Sequence, residues 1–353
     1  MSNGLEGIVV AETETSSVNA DAGELIIRGF PIGELSGSVT FEQVCSLLWH
    51  GKLDAGVDLG AARVAAFEKL PSLGRALAMS DAMDAMRAAT AQLEGSGHVE
   101  VTGALAVFSA AWARAARGRV AVAPDPTQSH ASDYLRMIHG KSASPHAVAA
   151  MDAYLTAVVD HGMNASTFAA RVVTSTESDL VSSVVAALGA LKGRLHGGAP
   201  GPVLDMLDAV GSPERAATWV DAELAAGRRI MGMGHRVYRV RDPRAAVLET
   251  ALERLTARPH GPETEQRLRL ARTVERCAEQ ALTALKPDRV IRANVEFYTA
   301  VLLEALGLPR TLFTATFACS RVAGWSAHVQ EQRTHGRLIR PRARYVGPTP
   351  ASA

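Results

Sequence analysis

R-R-I-M-G-M-G-H-R-V-Y-R-V-R-D-P-R, residues 228–244, is the most informative stretch of this 353-residue chain. Its histidine, His235, follows a Gly-Met-Gly turn at 232–234, where the two glycines let the backbone approach a ligand closely. An Asp-Pro pair then predicts a helix N-cap and a first helical residue, which places Arg244 in the first turn. Free backbone N–H groups and the positive end of the helix dipole favour an anion there. The stretch therefore indicates a site for a substrate with a carbonyl and a carboxylate, the alternative being a surface loop with scattered basic residues.

The composition limits the classes of function. Hydrophobic residues make up 47% and charged residues 21%, an ordinary globular balance, and the length suffices for about two domains. Lys+Arg 37 against Asp+Glu 36 leaves a net charge of +1, so no nucleic-acid or membrane partner is expected. Three distant cysteines (Cys45, Cys277 and Cys319) form no disulfide framework and no zinc spacing, which fits a cytoplasmic location. No run approaches the roughly 18 apolar residues of a membrane-spanning helix, and the first residues lack the basic segment of a secretory signal.

Helical signals dominate the chain and predict a mainly α fold. A capping box at Thr40–Gln43 begins a helix that Gly51 ends. Runs 7–10 and 25–28 around a polar turn at 16–23 predict a small N-terminal β hairpin, the alternative being an N-terminal arm. Further helices are predicted for the alanine-rich segments 60–69, 81–93, 101–117 and 146–159, for the charged segment 262–285 and for the apolar segment 311–332.

Arg321 stands out within the predicted helix 311–332. Helical spacing places it on one face with apolar residues such as Phe317 and Trp325, where a leucine would be expected. A buried guanidinium requires a carboxylate partner, supplied either by the protein or by a ligand. Four arginines crowd the C-terminus, at 337, 340, 342 and 344, and the simplest interpretation of that run is a solvated basic tail.

Two further histidines lie in segments of unusual composition. His161 precedes Gly162 and a cluster of amide and hydroxyl side chains at 164–167, and His196 lies in a segment with five glycines in thirteen residues, 189–201. Neither glycine-rich stretch matches a phosphate-binding or dinucleotide-binding loop. No carboxylate or third ligand stands at a familiar spacing from these histidines, so no metal is predicted. Glu296, in N-V-E-F-Y (294–298), is either functional or simply solvated or paired.

Taken together, these segments resemble the citrate synthase family. The motifs that carry the resemblance occur in the family's order and span nearly the whole chain: G-L-E-G-I-V-V-A-E-T (4–13), D-H-G-M-N-A-S-T-F-A-A-R-V (160–172), G-A-L-K-G-R-L-H-G-G-A (189–199), G-M-G-H-R-V-Y-R-V-R-D-P-R-A (232–245), N-V-E-F-Y (294–298), S-R-V-A-G-W (320–325) and L-I-R-P-R-A-R-Y-V-G (338–347).

The resemblance implies a fold, an assembly and a reaction. It implies a citrate synthase-like architecture: a large helical domain of residues 1–198 and 309–353, a smaller helical domain of residues 199–308 that closes over the substrate, and a homodimer. The family condenses the acetyl group of acetyl-CoA, a co-substrate, with oxaloacetate and then hydrolyses the citryl thioester. No metal, redox or permanently bound cofactor is implied.

The resemblance also assigns roles to individual residues. It implies three catalytic residues. Glu296 is expected to be the base that removes the methyl proton, His196 to hydrogen-bond to the thioester oxygen, and His235 to hydrogen-bond to the oxaloacetate carbonyl. The residues expected to bind the substrate carboxylates are His161, Arg244, Arg321 and Arg340. Arg340 is expected to reach across from the partner subunit. Arg236, Lys286 and Arg292 are expected to contact the phosphates of CoA.

Two departures from the family pattern keep alternatives open. Glu296 stands where the family usually has aspartate, and Gly162-Met163 follows His161 where Glu-Leu or Glu-Phe is common; both are interpreted as traits of a subset of the family. One alternative is a 2-methylcitrate synthase that uses propionyl-CoA. The other is a weakly active or non-catalytic ligand-binding protein, for which only the glutamate argues.

Overall fold

The computed structural model describes residues 4–5, 7–54, 56–197, 200–234, 238, 240–256 and 262–348, and these residues are mainly helical. The strands are β1 (Ser16–Asn19), β2 (Glu24–Ile27) and β3 (Phe30–Pro31). The α-helices are α1 (Ile32–Leu35), α2 (Phe41–His50), α3 (Gly60–Glu68), α4 (Ala82–Thr90), α5 (His98–Ala115), α6 (His130–His139), α7 (Pro145–Ala157), α8 (Ala165–Thr174), α9 (Leu180–Leu191), α10 (Pro200–Val210), α11 (Ala216–Ala225), α12 (Pro243–Thr256), α13 (Pro262–Leu285), α14 (Val295–Ala305) and α15 (Phe313–His335). Short 3-10 turns occur at Leu70–Leu73, Ala76–Ala78, Pro213–Arg215 and Arg310–Leu312.

The N-terminal sheet corrects the predicted hairpin. Strands β1, β2 and β3 pair antiparallel in sequence order, and β1 lies inside the segment predicted as the turn, while run 7–10 is largely exposed and is no strand. The physical reason is local turn chemistry. The Asn19 side chain accepts hydrogen bonds from two backbone N–H groups of the turn, and Gly23 completes it with φ +67°. The turn is therefore shorter than the polar composition suggested.

The predicted helices are confirmed, with boundaries set by caps. Thr40 and Gln43 form the expected capping box at the start of α2, and Gly51 ends that helix with φ 71°. The four alanine-rich segments form α3, α4, α5 and α7. None of the helices within the described ranges combines enough length and apolarity to cross a membrane.

Two helices form the centre of the core. Every residue of α5 from Val101 to Ala113 is buried, and Gly103 lets α5 approach α3 so closely that a Cβ there would lie 2.7 Å from Cβ of Ala62. Helix α15 packs against α5, α8 and α9 and is buried on all sides over residues 318–329. The burial of this helix thus extends beyond the face on which the sequence placed Arg321, because a central helix has no solvent side.

A buried ion pair in the large helical layer gives a test of stability that is independent of function. Arg63 Nε donates to Asp133 Oδ2 at 2.8 Å, and both side chains are almost fully buried, whereas the second partner, Arg136, is 18% exposed. We expect Arg63→Leu to reduce the free energy of unfolding by about 3 kcal/mol, because it removes the more deeply buried of the two cations that compensate the Asp133 carboxylate. Arg136→Leu serves as the matched control and should cost less than about 1 kcal/mol. Urea denaturation of both variants measures the difference, and equal losses would contradict this account.

Candidate active site

Arg244 occupies the helix start that the sequence predicted. Asp242 caps α12 by accepting from the Arg244 backbone N–H at 3.0 Å, and its two oxygens also accept from Arg244 Nε and Nη2 at 3.0 and 2.7 Å. Both side chains are buried. Burial lowers the pKa of Arg244, but Asp242 outweighs this and raises it. A guanidinium has five N–H donors, so this bidentate pair fixes Arg244 and leaves three for a ligand.

Arg321 is buried without an ion pair to any carboxylate of the described residues. Its Nε donates to the carbonyl of Val158 at 2.8 Å, and its guanidinium lies 4.6 Å from the ring centre of Phe317. The side chain is 1% exposed. Burial lowers its pKa to about 10, and the positive charge of Arg244 contributes to this. The described residues thus provide no ion-paired carboxylate for this guanidinium, although the nearby Asp160 carboxylate acts on it electrostatically.

Glu296 lies in the first turn of α14, in the electrostatic field of both arginines. Burial raises the pKa of its carboxyl group above the ordinary value of 4.5, and Arg244 and Arg321 partly oppose this. No ion pair joins Glu296 to a basic side chain of the described residues, so its carboxyl group takes up a proton more readily than an ordinary glutamate does. Two of the four residues predicted to bind carboxylates, Arg244 and Arg321, thus act electrostatically on Glu296.

The glycine turn before His235 is attached to the start of the same helix. Asn294 Nδ2 donates to the carbonyl of Gly234, its backbone N–H donates to the carbonyl of Gly232, and Gly234 N–H donates to the carbonyl of Arg292. A Cβ on Gly232 would lie 2.8 Å from the Phe297 ring, so only glycine fits there. His235 and Arg236 themselves lie outside the described residues. The hydrogen bonds of their flanking turn nevertheless tie the most informative stretch of the sequence to Glu296.

His196 is oriented by a serine that sequence reasoning did not assign to the site. Ser166 Oγ lies 2.8 Å from His196 Nε2 and also accepts from the indole N–H of Trp325 at 3.1 Å. Ser166 Oγ itself donates to Asn164 Oδ1 at 2.7 Å, and that oxygen also accepts two backbone N–H groups at the start of α8. Burial, followed by the charge of Arg321, lowers the pKa of His196 to about 4, so the ring is neutral at neutral pH.

His161 stands at a sharp turn and contacts a second residue that was missed, Tyr238. The His161 Nε2 atom and the tyrosine hydroxyl are 3.2 Å apart, and the two rings meet edge to face. Gly162 adopts φ +58°, a conformation that glycine tolerates readily. Residues 161 and 238 are 77 positions apart, and no local pattern in the sequence indicated this contact.

The remaining predicted residues are more dispersed. Lys286 is exposed beyond the end of α13, and Arg292 forms an ion pair with Glu279 at 3.3 Å. Arg340 is exposed, and its neighbour Ile339 is hydrogen-bonded to Ser175, at the opposite end of α8 from Ser166. Nine residues of helix separate these serines by about 13 Å. Within the described residues no three His, Cys, Asp or Glu side chains are grouped as metal ligands.

Comparison with known proteins gives a consistent result. The family model described as "Citrate synthase, C-terminal domain" matches residues 4–342. The chain is 37% identical to the citrate synthase of Haloferax volcanii, covering 98% of this chain and 96% of that protein. It is 36% identical to the 2-methylcitrate synthase of Mycobacterium tuberculosis, covering 98% of this chain and 90% of that protein.

Solved structures agree with this result. The citrate synthase of Thermotoga maritima superposes with a TM-score of 0.85 at 34% identity, covering 99% of this chain and 97% of that one. The citrate synthase of Thermoplasma acidophilum was solved as a ternary complex with carboxymethyl coenzyme A and oxaloacetate. It superposes with a TM-score of 0.89 at 29% identity, covering 100% of this chain and 98% of that one. Both matches extend over the sheet, the helices and the residues around Glu296, and with the family model and the relatives they establish that this chain belongs to the citrate synthase family of acyltransferases.

Proposed function

We propose that this chain condenses acetyl-CoA with oxaloacetate and hydrolyses the resulting citryl-CoA to citrate and CoA. The observation that carries the proposal is the pair of buried guanidiniums, Arg244 and Arg321, next to Glu296. Arg321 has no ion-paired carboxylate among the described residues, and contacts within those residues occupy only two of the five N–H donors of Arg244. A dicarboxylate such as oxaloacetate supplies the missing negative charge, one carboxylate for each arginine. His161 adds a further donor for a carboxylate.

The chemistry begins with proton abstraction. Glu296 takes a proton from the methyl group of acetyl-CoA, and its raised pKa makes it a stronger base than an ordinary glutamate. We assign to the neutral His196 the hydrogen bond to the thioester oxygen, where negative charge develops as the enolate forms. The enolate carbon then bonds to the carbonyl carbon of oxaloacetate, whose oxygen takes up a proton. We assign the contact to that oxygen to His235 from its motif.

Hydrolysis completes the reaction. Water adds to the thioester carbonyl of citryl-CoA, the C–S bond breaks, and the sulfur leaves as the CoA thiol after taking up a proton. Every step uses acid–base chemistry and charge stabilisation by side chains of this protein, with acetyl-CoA as co-substrate and no permanently bound cofactor. We assign the phosphates of CoA to Arg236, Lys286 and Arg292, all basic residues in or beside the segments that flank Glu296.

The second candidate is the same chemistry with propionyl-CoA, because a 2-methylcitrate synthase is about as similar to this chain as the citrate synthases are. Release of the CoA thiol from acetyl-CoA and from propionyl-CoA, each with and without oxaloacetate, separates the candidates. We expect release only with oxaloacetate and a higher kcat/KM for acetyl-CoA. A higher value for propionyl-CoA would support the second candidate. No release from either thioester would favour a non-catalytic ligand-binding protein.

We further propose the two-domain division at residues 199 and 308, a homodimer and a cytoplasmic location. The contact between His161 and Tyr238 would join the two domains across the site, as closure over a substrate requires. The extended, exposed segment around Arg340 and the exposed Leu338 and Val346 favour a subunit interface. The three free cysteines are compatible with a reducing compartment.

The shared site leads to a complementation experiment. If Arg340 completes the site of the partner subunit, Arg340→Ala and Glu296→Ala each inactivate a homodimer, but a mixed dimer regains one intact site. We expect verified heterodimers to recover about one quarter to one half of wild-type kcat, since half of the sites can be complete. Thiol release from heterodimers purified with two different affinity tags measures this. Activity no greater than the sum of the two inactive homodimers would refute the assignment of Arg340 to the neighbouring site.

A further inference from the structure

Asp160, the residue before His161, is fully buried and its carboxylate accepts three hydrogen bonds. Oδ2 accepts from the hydroxyl of Ser16 in β1 and from the backbone N–H of Gly162, and Oδ1 lies 3.1 Å from His328 Nε2. Gly162 N–H is shared with Ser16 Oγ at 3.0 Å. Asp160 therefore joins the N-terminal sheet, the turn that carries His161 and the central helix α15.

The proton of His328 can be located from its other neighbour. Arg171 donates to His328 Nδ1 from Nε at 3.2 Å and from Nη2 at 2.9 Å, and an arginine can only donate. Nδ1 is therefore an acceptor, and the proton on Nε2 is donated to Asp160. Arg171 is itself held by Gln332 at 3.1 Å and by Glu331. This chain of contacts fixes the orientation of the imidazole that faces Asp160.

All three groups around Asp160 are donors, so both of its oxygens must accept. Burial opposes ionisation, but His328, Arg321 and Ser16 outweigh it and lower the pKa of Asp160 to about 2. An asparagine at this position would have to point its NH2 group either at Gly162 N–H and Ser16 or at His328 Nε2–H. In both orientations one N–H donor would face another donor. Because Arg171 holds His328 Nδ1 as an acceptor, the imidazole cannot reverse its donor and acceptor. The surroundings of Asp160 thus require an ionised carboxylate.

The negative charge of Asp160 also acts on Arg321. Asp160 is the leading group that opposes the effect of burial on the pKa of Arg321, although no ion pair joins the two side chains. Gly324, one turn after Arg321 on α15, makes room for this arrangement, because a Cβ there would lie 2.8 Å from Asp160 Oδ1. The charge of Arg321 is therefore partly balanced while its Nη groups stay available to a ligand.

We propose that Asp160 is a positioning residue of the substrate site, which holds the His161–Gly162 turn in place and balances the charge of Arg321 without occupying its Nη donors. The inference rests on the proposed function, because it takes the ligand of His161 and Arg321 to be oxaloacetate. Asp160 acts through these two residues, and Ser16 and His328 hold Asp160 in turn. The N-terminal sheet is thereby part of the support of the site.

Two measurements on Asp160→Asn test this proposal. We expect the dissociation constant and KM for oxaloacetate to rise about 30-fold, as for a lost charge-assisted network, with the KM for acetyl-CoA changed less than about twofold. We also expect faster hydrogen exchange in residues 160–164 of the ligand-free protein, read by mass spectrometry of peptides. The control is Asp133→Asn, a buried carboxylate of the distant Arg63 pair, which should lower Tm but leave both readouts unchanged.

A pair of variants at His328 covers the case in which Asp160→Asn does not fold. His328→Gln keeps a donor toward Asp160 and an acceptor for Arg171, so we expect oxaloacetate affinity within about threefold of wild type, whereas His328→Leu should weaken it about tenfold. Wild-type oxaloacetate affinity in Asp160→Asn, or equal affinities in the two His328 variants, would overturn the proposal. Absence of oxaloacetate binding by the wild-type protein would instead refute the proposed function, and the exchange in residues 160–164 would still decide whether Asp160 holds the turn.

Discussion

Replacing Glu296 by glutamine is expected to lower kcat at least about 1,000-fold while oxaloacetate affinity stays within a fewfold of wild type. Glutamine keeps the shape of the side chain but cannot accept the methyl proton, and general-base catalysis typically contributes factors of 100 to 10,000. Because burial raises the pKa of this carboxyl group, the charged form is disfavoured in the folded protein. Steady-state thiol release at saturating substrates gives kcat, and quenching of intrinsic fluorescence gives the affinity for oxaloacetate.

Stability measurements separate loss of the base from misfolding. A carboxyl group with a raised pKa in the folded state destabilises that state when it ionises, so the penalty is present at neutral pH and disappears as the pH falls below its unfolded value near 4.5. The glutamine variant should therefore have a Tm at least equal to that of wild type at pH 7, with the difference vanishing below about pH 4. A lower Tm of the glutamine variant at pH 7 would mean that the substitution disturbs the fold. Its lost activity could then not be attributed to loss of the general base.

Glu296→Asp tests whether the site has adapted to glutamate. The shorter side chain withdraws the carboxylate by roughly 1 Å, and a misplacement of that size can lower a rate about 100-fold. We expect kcat to fall by about that factor. An aspartate variant faster than wild type would contradict adaptation and would show that glutamate is merely tolerated at this position.

The second large effect is expected for Arg321→Leu, which should lower kcat/KM for oxaloacetate about 1,000-fold. The substrate carboxylate loses a buried, charged donor pair, and truncation of such a pair typically costs about 2–5 kcal/mol. The same change removes a buried cation that has no carboxylate partner among the described residues. We therefore expect the free energy of unfolding to remain unchanged or to rise, as is often seen when a buried charge is replaced by a packed apolar group.

Arg63→Leu is the matched control for this prediction, because Arg63 is equally buried but is paired with Asp133. It should lose stability and keep its kcat/KM for oxaloacetate, the reverse of Arg321→Leu. Loss of stability in both variants, with unchanged oxaloacetate affinity in Arg321→Leu, would assign Arg321 to the fold rather than to the substrate.

The sequence was most reliable where the deciding interactions are local. The N-cap at Asp242, the position of Arg244 in the first turn of α12 and the capping box of α2 all depend on residues within four positions of each other, and all are confirmed. The hairpin was misplaced because the side chain of Asn19 and the left-handed Gly23 form a tighter turn than hydrophobic runs can reveal.

Contacts between distant segments could not be predicted in the same way. The serine that orients His196 lies 30 positions away, and the tyrosine against His161 lies 77 positions away, so no helical or strand period connects them. The sequence did indicate that Arg321 lies on an apolar face and needs a carboxylate partner, but it left open whether a protein or a ligand supplies that carboxylate. Only the three-dimensional contacts of Arg321, with the Val158 carbonyl and the Phe317 ring, bear on that choice.

The central claim is that Glu296 removes a methyl proton from the thioester in the site formed by Arg244 and Arg321. Exchange of the acetyl-CoA methyl protons with deuterated solvent, followed by NMR in the presence of an unreactive oxaloacetate analogue, tests this claim most directly. The account predicts exchange by the wild-type protein only when the analogue is present, and exchange at least about 1,000-fold slower by Glu296→Gln. Exchange by Glu296→Gln at the wild-type rate would contradict it.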